Sequence, residues 1–369
     1  MAQPPSGVAS STAAPVLSLP AADLRALVAG VFTAAGADPE SAESVARSLV
    51  LSNLRGVDSH GFVRVAEYLA YIAEGRIDPA ARPVVERHGA VVRVQGRRCF
   101  GQLAAYEGTL AAVEAAREHG VALAVVSGVR HVGRVGEFVE LCAARGILGV
   151  VFCNGGPAGG LVAPFGGKGR ALGTNPLAYA FPVAGRPPVV ADFSTSMVAE
   201  GKVRIHAHAG KSLPAGWIVD AAGEPATDPA ALYAGGALLP AAGHKGYALG
   251  LLAEVLGGVL AGEGAASTGA DPGNGFVLIA LDPGEAFAAG AAAVVDAVES
   301  REPAAGFERV VAPGTPEMEE ERRRSAGGIP FSAETWRAFA AAAESVGFAV
   351  PPLPAATGMH TSAISRCGA

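Results

Sequence analysis

Positive charge and aromatic residues are both in short supply in this sequence. Its 369 residues hold 28 Lys and Arg against 34 Asp and Glu, which gives a formal net charge of −6, and the two signs are interspersed. Without a basic face, the chain lacks the counterion release that drives nucleic-acid binding. Aromatic residues make up 6% of the chain and do not alternate with basic ones, so a base-stacking platform is unsupported. We therefore expect no DNA or RNA partner.

Few cysteines and no long apolar run are present either. The cysteines number four and show no CxxC spacing: Cys99, Cys142, Cys153 and Cys367. Residues 1–15 lack the basic start and the apolar core of a signal peptide, and reduced thiols in a cytoplasm fit this pattern best. The longest apolar stretch, 247–261, is too short to span a bilayer and contains Glu254. The sequence predicts a cytoplasmic protein that does not insert into a membrane.

Three common site motifs are absent as well. The sequence contains no GxGxxG, which marks a Rossmann dinucleotide site, and no GxxxxGK[ST], which marks a P-loop. It also lacks the GxSxG elbow that presents the serine of many hydrolases. An ordinary Rossmann or P-loop fold therefore has no support from the sequence.

What the sequence does contain is an alternation of helical and strand patterns, typical of the α/β class. Apolar residues at helical spacing predict helices over 20–36 and 39–54, and strands and helices then alternate through 121–152. Glycine and proline crowd 154–176, which predicts a long functional loop. The charge run at 317–324 is interpreted as a solvated surface. Later elements are predicted as strands at 177–181, 188–192 and 276–280, and as helices at 245–261, 284–299 and 332–346.

The first candidate site is the segment RGVDSHGFVRVAEYL (55–69), which lies in a break between helical patterns. His60 can act as an acid or a base near neutral pH, and Arg64 offers a planar fork that matches a carboxylate. Four residues apart, the two side chains would share one face of a helix. The alternative is that Asp58 or Ser59 caps a helix and that the His and Arg are surface residues.

Three further segments allow both a functional and a structural interpretation. SGVRHVGRVGEF (127–138) lies where a strand meets a helix, so it either binds an anion or forms a plain turn. Asp192 ends an apolar strand and either orients a histidine or satisfies local amides. HKG (244–246) precedes a helix and either binds phosphate or forms a capped surface turn. The pair His206 and His208 lacks a third ligand at useful spacing and alternation along a strand explains it equally well, so we expect no metal.

Taken together, these segments resemble the malate/L-lactate dehydrogenase family of the type-2, non-Rossmann kind. That family also includes ureidoglycolate and sulfolactate dehydrogenases and cyclic-imine carboxylate reductases. The resemblance is collinear over about 21–347. It runs through GVDSHGFVRVAEYL, the HVG element, APFGG with GTNPLAYAFP, VVADFSTSMVAEGKV, LPAGWIVDAAGEPATDP and GHKGYALGLLAEVL.

The resemblance implies an α/β, non-Rossmann homodimer with a largely antiparallel sheet that binds NAD or NADP, flanked by helical segments from both termini. The implied division begins with a disordered tail at 1–17 and an N-terminal helical part of the substrate and dimer domain at 18–90. A central cofactor-binding domain at 91–310 follows. A C-terminal helical segment at 311–369 packs back on the N-terminal part.

The resemblance also assigns roles at a site for a small carboxylate substrate. The family's proton donor falls on His60, its relay partners on Ser59 and Asp192, and its carboxylate-binding Arg on Arg64. Thr174 falls at the substrate pocket. The implied cofactor contacts are His131, Val132, Gly133, Arg134, Val135, His244, Lys245, Gly246, Pro313 and Gly314. The chain departs from its relatives at Val132 and at 241–242, positions that concern cofactor preference and affinity.

The function predicted is an NAD(P)-dependent oxidoreductase that interconverts a small 2-keto acid and a 2-hydroxy acid. The same Arg and acid would serve a cyclic imine carboxylate, so reduction of such an imine is the alternative. A relative that binds the cofactor without turnover is a third possibility. A Ser-His-Asp hydrolase is also weighed, but the neighbouring side chains of Ser59 and His60 would diverge by about 100° on a helix, which makes their hydrogen bond awkward.

Overall fold

Helices and strands alternate along the chain, and the predicted α/β class is confirmed. The structure, a computed structural model, describes residues 17–269 and 273–352. Its helices are α1 (Ala21–Ala34), α2 (Pro39–Leu54), α3 (Val65–Ala73), α4 (Gly101–His119), α5 (Gly136–Ala143), α6 (Glu200–His208), α7 (Pro229–Tyr233), α8 (His244–Ala253), α9 (Phe287–Glu299), α10 (Thr315–Gly327) and α11 (Ala333–Glu344). Its strands are β1 (Leu17–Leu19), β2 (Val84–His88), β3 (Val91–Gln95), β4 (Val121–Ser127), β5 (Leu148–Cys153), β6 (Pro176–Phe181), β7 (Val189–Ser194), β8 (Ile218–Val219), β9 (Pro225–Ala226), β10 (Ala237–Leu238), β11 (Phe276–Leu281) and β12 (Ile329–Phe331).

Within these ranges a seven-stranded sheet forms the centre of the fold, in the order β2-β3-β4-β11-β5-β6-β7. The sheet is mixed, because β3 and β4 are parallel whereas the other neighbours are antiparallel. Two smaller sheets have the orders β10-β8-β9 and β1-β12. The fold therefore differs from the parallel, doubly wound sheet of a Rossmann domain.

Helices cover both faces of the central sheet. Strand β11 is a run of apolar residues at the middle of the sheet, as expected for a strand buried on both faces. On one face, α4 and α5 contribute to the largest core cluster, together with residues of β3, β4, β5 and β11. On the other face, α8 continues into a π-helical segment, Glu254–Leu260, and packs Ala253 and Leu256 against the sheet.

A second core is built by α1, α2 and α3 together with the end of the chain. Phe62 packs against Phe331 and Phe339, and Trp336 stacks on Phe331. Asp38 is the N-cap of helix α2, because its side chain accepts hydrogen bonds from free N–H groups of the first turn. This second core carries the turn that holds His60.

Several sequence-based expectations need correction. The HKG segment forms the first turn of α8 rather than a turn before it, and the charge run at 317–324 lies within α10. His206 and His208 lie on α6, not on a strand. Leu17, the last residue of the predicted tail, begins β1, whereas residues 1–16 and Cys367 lie outside the described ranges.

The described cysteines, Cys99, Cys142 and Cys153, are buried and unpaired. In the part of the chain that the structure covers, no helix has both the length and the apolar character that a bilayer span requires. Over the same ranges, no three His, Cys, Asp or Glu side chains are arranged to hold a metal ion.

Candidate active site

His60 and Arg64 lie on two consecutive 3-10 turns, Asp58–His60 and Phe62–Arg64, that join α2 to α3. Asn53, buried at the end of α2, fixes both turns: its Nδ2 donates to Asp58 Oδ1 at 2.7 Å, and its Oδ1 accepts from the Phe62 N–H at 2.9 Å. A Cβ at Gly61 would lie 2.2 Å from Asn53 Oδ1, so this approach requires glycine. The turns are therefore built around one buried amide.

Arg324 of α10 also holds these turns in place. Arg324 is only 7% exposed. Its Nη1 and Nη2 donate to the two carboxylate oxygens of Asp58 at 2.6 and 3.0 Å, and Nη1 also donates to the Asn53 carbonyl at 2.7 Å. The interpretation of 317–324 as a merely solvated surface is therefore wrong for Arg324. A bidentate pair of this kind fixes direction as well as distance.

Ser59 Oγ lies 3.0 Å from His60 Nδ1, a hydrogen-bond distance. The expectation that these two side chains diverge is wrong, because they lie in a short 3-10 turn rather than in a regular helix or strand. The contact alone does not make Ser59 a nucleophile, since the sequence offers no GxSxG elbow for it.

His60 is held in its neutral form by its surroundings. Burial, followed by the positive charges of Arg64 and Arg134, lowers the pKa of His60 from 6.5 to about 4, against the opposing effect of Glu67. At neutral pH the imidazole is therefore neutral, with one of its two ring nitrogens unprotonated.

Arg64 is held by its neighbours along the chain. Its Nε donates to the Ser59 carbonyl at 2.6 Å, and its Nη1 donates to Glu67 Oε2 at 2.5 Å, while the Tyr71 hydroxyl donates to Glu67 Oε1 at 2.8 Å. Burial raises the pKa of Glu67, but Arg64 and Tyr71 outweigh it, and the net shift is downward. The guanidinium keeps Nη2 for another anion, since no hydrogen bond from Nη2 is made within the described residues.

His131 comes from a different part of the chain and lies against His60. The two rings are stacked with centroids 5.5 Å apart and planes inclined by 26°. The Tyr68 hydroxyl is 2.6 Å from His131 Nδ1, and Gln102 Nε2 donates to the same hydroxyl at 2.6 Å. Two imidazoles thus lie side by side next to Arg64.

The rest of the predicted cofactor loop points inward. Val132 and Val135 belong to the largest core cluster, and Gly133 adopts a φ of +84°. The Arg134 side chain is buried, donates to Glu140 at 2.7 Å and lies 3.9 Å from Asp192. Its guanidinium is therefore directed at protein carboxylates rather than at the surface.

Asp192, on β7, does not reach His60 directly. Its Oδ2 accepts from the Gly136 N–H at 2.8 Å and pairs with Arg134, and in the described ranges it makes no hydrogen bond to His60. Burial raises the pKa of Asp192, although Arg134 and the Gly136 N–H oppose that rise. Arg134 is close enough to influence both Asp192 and His60, so the two are linked electrostatically rather than by contact.

Thr174 and the HKG turn (244–246) form a second group, joined by backbone hydrogen bonds. The Thr174 carbonyl accepts from Thr195 N at 3.0 Å, the Thr195 carbonyl accepts from Ala241 N at 2.9 Å, and the Ala241 carbonyl accepts from Gly246 N at 2.9 Å. Thr195 follows Asp192 by three residues, which is about 10 Å of extended chain. The strand β7 therefore leads from the first group to the second.

Pro313 and Gly314 lie beside the same strand. The Pro313 carbonyl accepts from Val190 N at 3.1 Å, and a Cβ at Gly314, whose φ is +89°, would lie 2.9 Å from the Val190 carbonyl oxygen. Val190 precedes Asp192 by two residues. The predicted site segments, which lie far apart in the sequence, thus come together along β7.

Sequence reasoning missed Asn53, Tyr68, Gln102 and Arg324. Tyr68 carried a signal, because it continues the four-residue spacing of His60 and Arg64. The other three carried none, since their partners come from distant parts of the chain or from another element.

The fold is that of a non-Rossmann α/β protein, and the site brings two imidazoles together beside a guanidinium. The chain belongs to the malate/L-lactate dehydrogenase family, whose model matches residues 19–340. Hydroxycarboxylate dehydrogenase B of Escherichia coli (strain K12) is 34% identical over 339 residues, which cover 88% of this chain and 93% of that protein.

Two further proteins widen the comparison. Delta(1)-pyrroline-2-carboxylate reductase 2 of Burkholderia multivorans is 36% identical over 277 residues, covering 73% of this chain and 80% of the relative. The crystal structure of a dehydrogenase from Sinorhizobium meliloti superposes with a TM-score of 0.81 at 31% identity, over 89% of this chain and 98% of that one. The relatives thus include both a hydroxy-acid dehydrogenase and an imine reductase.

Proposed function

We propose that this protein is an NAD(P)-dependent oxidoreductase that interconverts a small 2-keto acid and the corresponding 2-hydroxy acid. The observation that carries the proposal is the placement of His60 and Arg64 on adjacent turns, with the Arg64 Nε bonded to the Ser59 carbonyl. This arrangement sets a group that exchanges protons beside a group that binds carboxylates, and a 2-hydroxy acid carries on neighbouring carbons the two functions that they serve.

In this proposal Arg64 holds the substrate carboxylate. The fork of a guanidinium matches a carboxylate, and Glu67 keeps the Arg64 fork oriented without using its Nη2. Thr174 is assigned to the wall of the substrate pocket.

His60 exchanges a proton with the substrate oxygen on C2. It accepts the proton when a hydroxy acid is oxidised and returns it when a keto acid is reduced. Ser59 orients the ring through Nδ1, and Asp192 acts on it through Arg134. When a substrate carboxylate binds Arg64, the field that lowers the pKa of His60 weakens, which prepares the imidazole to carry a proton.

The HKG turn of the second group fits a dinucleotide. The Gly246 N–H already donates to the Ala241 carbonyl, but the N–H groups of His244 and Lys245 make no backbone hydrogen bond within the described residues. Lys245 adds positive charge next to them, which suits a diphosphate. We assign the HKG turn, the 131–135 backbone and Pro313–Gly314 to cofactor contacts. A bound nicotinamide supplies a hydride to C2 or accepts one from it.

Reduction of a cyclic imine carboxylate is the second candidate. It is supported by the 36% identity to a pyrroline-2-carboxylate reductase. The low pKa of His60 also favours it, because an imine nitrogen is more basic than a carbonyl oxygen and demands less of a neutral imidazole. A relative that binds the cofactor without turnover is the third candidate.

The test is to follow NADH and NADPH absorbance with the purified protein against pyruvate, oxaloacetate, other 2-keto acids and cyclic imine carboxylates. Turnover with one of these classes, in either direction, is expected. Cofactor binding without turnover on any carboxylate would support the non-catalytic alternative, and neither turnover nor binding would refute the proposal.

The proposal includes a homodimer, the predicted division into 18–90, 91–310 and 311–369, and a cytoplasmic location. The outer side of α8 and its π-helical extension supports the dimer. It exposes Leu249, Leu252, Val255 and Val259 at helical spacing, while the opposite side packs on the sheet. Exposure of such an apolar face to water is unfavourable, and we assign this face to contact with a second copy of this chain.

Val259→Glu is expected to split this dimer. A buried valine contributes about 1.5–3 kcal/mol, and two-fold symmetry counts the change twice, so the dimer dissociation constant should rise by at least about 10²-fold. Light scattering after size exclusion gives the mass. Val294→Glu is the matched control, because Val294 on α9 has the same 65% exposure. If Val294→Glu splits the dimer and Val259→Glu does not, the assigned face is wrong.

A further inference from the structure

A chain of three buried polar groups ends at His131. Gln102 Nε2 donates to the Tyr68 hydroxyl at 2.6 Å, and the same hydroxyl lies 2.6 Å from His131 Nδ1. Tyr68 and Gln102 are almost completely buried, so neither can exchange these partners for water. The direction of each hydrogen bond in the chain is therefore set by the protein.

The amide of Gln102 fixes that direction. An Nε2 group can only donate, so the Tyr68 oxygen accepts from it and gives its own proton to His131 Nδ1. The orientation leaves Gln102 Oε1 buried without a partner. The second N–H of Nε2 also has no partner, but turning the amide over would leave both N–H groups unpaired, and buried unpaired N–H groups are rarer in proteins than unpaired carbonyl oxygens. The observed direction is thus the less costly one.

The consequence for His131 is a defined tautomer. Burial raises the pKa of Tyr68, so its hydroxyl keeps the proton it donates. Burial, followed by the charges of Arg64 and His60, lowers the pKa of His131, so this ring is neutral and carries one proton. Because Nδ1 is an acceptor, the proton is on Nε2. Nε2 has no hydrogen-bond partner within residues 17–269 and 273–352, and His131 is only partly buried.

We propose that Gln102 and Tyr68 are positioning residues that hold His131 with its proton on Nε2, and that this N–H donates a hydrogen bond to the substrate oxygen that exchanges its proton with His60. The inference rests on the function proposed above. The stacked rings of His60 and His131 place both imidazoles at one reacting group. His131 is thereby assigned to the reacting centre rather than to the cofactor phosphates, and its donor stabilises the charge that develops on that oxygen.

Three substitutions separate this role from a merely structural one. Tyr68→Phe removes the group that donates to Nδ1. Gln102→Glu, measured above neutral pH, presents a carboxylate that accepts the Tyr68 proton, so Tyr68 must accept from His131 and the tautomer reverses. Gln102→Met removes the amide, so Tyr68 is free either to donate to His131 Nδ1 or to accept from it, and the tautomer is no longer fixed. Tyr106→Phe, one turn further along α4, is the control for loss of a hydroxyl.

The readout is a ¹⁵N spectrum of histidine-labelled full-length protein, which identifies the protonated nitrogen of each ring, together with kcat and KM. His131 is expected to carry its proton on Nε2 in the unmodified protein, on Nδ1 in Gln102→Glu, and on a mixture of the two nitrogens in Gln102→Met. In Tyr68→Phe and Gln102→Glu, kcat is expected to fall by about 10²-fold with little change in KM. Gln102→Met should give a kcat between those of the unmodified protein and Gln102→Glu, and Tyr106→Phe should keep kcat close to that of the unmodified protein.

A proton on Nδ1 in the unmodified protein, or a tautomer that none of the variants changes, would overturn the proposal. A reversed tautomer with unchanged kcat would overturn the donor role of His131. If the unmodified protein turns over no carboxylate while its spectra behave as expected, the proposed function fails together with the donor role, and the positioning by Gln102 and Tyr68 is supported.

Discussion

Arg64→Ala is expected to lower kcat/KM by about 10²- to 10³-fold, mostly through a higher KM. Loss of one partner of a hydrogen-bonded charge pair costs about 2–5 kcal/mol, and the substrate carboxylate would be left without its cation. Arg64→Lys should recover little of the loss, because Arg64 uses separate nitrogens for the Ser59 carbonyl and Glu67, whereas the single nitrogen of an ammonium would have to serve both of them and the substrate. Steady-state kinetics with the substrate found in the screen provide the measurement.

Two controls isolate the carboxylate contact. Arg64→Ala also frees the negative charge of Glu67, so a double variant with Glu67→Gln removes any repulsion of the substrate and should recover only part of the loss. Arg117→Ala breaks an ion pair of the same three-residue spacing, with Glu114 at the far end of α4, and should leave kinetics unchanged. An unchanged KM in Arg64→Ala would show that another group binds the carboxylate.

Local patterns in the sequence were sufficient to single out His60 and Arg64 as candidates, and the family resemblance supplied the roles proposed for them. Their spacing, the break between two helices and the chemistry of imidazole and guanidinium all lie within one short segment. Helix α2, which precedes them, was also predictable from apolar periodicity. The α/β class followed from the alternation of the two periods along the chain.

The contacts that support these residues were not predictable, because they join distant parts of the chain. Asp58 pairs with Arg324, 266 positions later, and nothing within 317–324 distinguishes that arginine from its neighbours. Tyr68 meets His131 across 63 positions. A run of charged residues predicts exposure to solvent, but it does not show which one of them the rest of the fold will bury.

The error about Ser59 and His60 has a different cause. It assumed that the segment is a regular helix or strand, in which neighbouring side chains diverge. Asn53 and Gly61 instead impose two 3-10 turns, and the geometry of a short turn cannot be inferred from periodicity. Asp192 was expected either to orient a histidine or to satisfy local amides, and its carboxylate accepts from the Gly136 N–H and pairs with Arg134.

His60→Asn is expected to lower kcat for keto-acid reduction by about 10²- to 10⁴-fold, the usual contribution of a general acid or base. The loss should be smaller for a cyclic imine carboxylate, whose nitrogen is basic enough to bring its own proton. His88→Gln is the matched control, because His88 is an exposed histidine on β2. Near-normal turnover of a keto acid by His60→Asn, under conditions where chemistry limits the rate, would assign the proton transfer to another group.

The pH dependence in the unmodified protein follows from the lowered pKa of His60. Oxidation of a hydroxy acid requires the neutral imidazole, so its kcat/KM should stay level from neutral pH downward and fall only as the pH drops through about 4. Reduction of a keto acid requires the protonated imidazole, so its kcat/KM should fall as the pH rises above about 4. Binding of the substrate carboxylate to Arg64 offsets one of the charges that lower this pKa, so kcat for reduction should hold to a higher pH than kcat/KM does. If both directions instead shared a midpoint near the ordinary histidine pKa of about 6.5, burial and the charges of Arg64 and Arg134 would not lower the pKa of His60 as this arrangement requires.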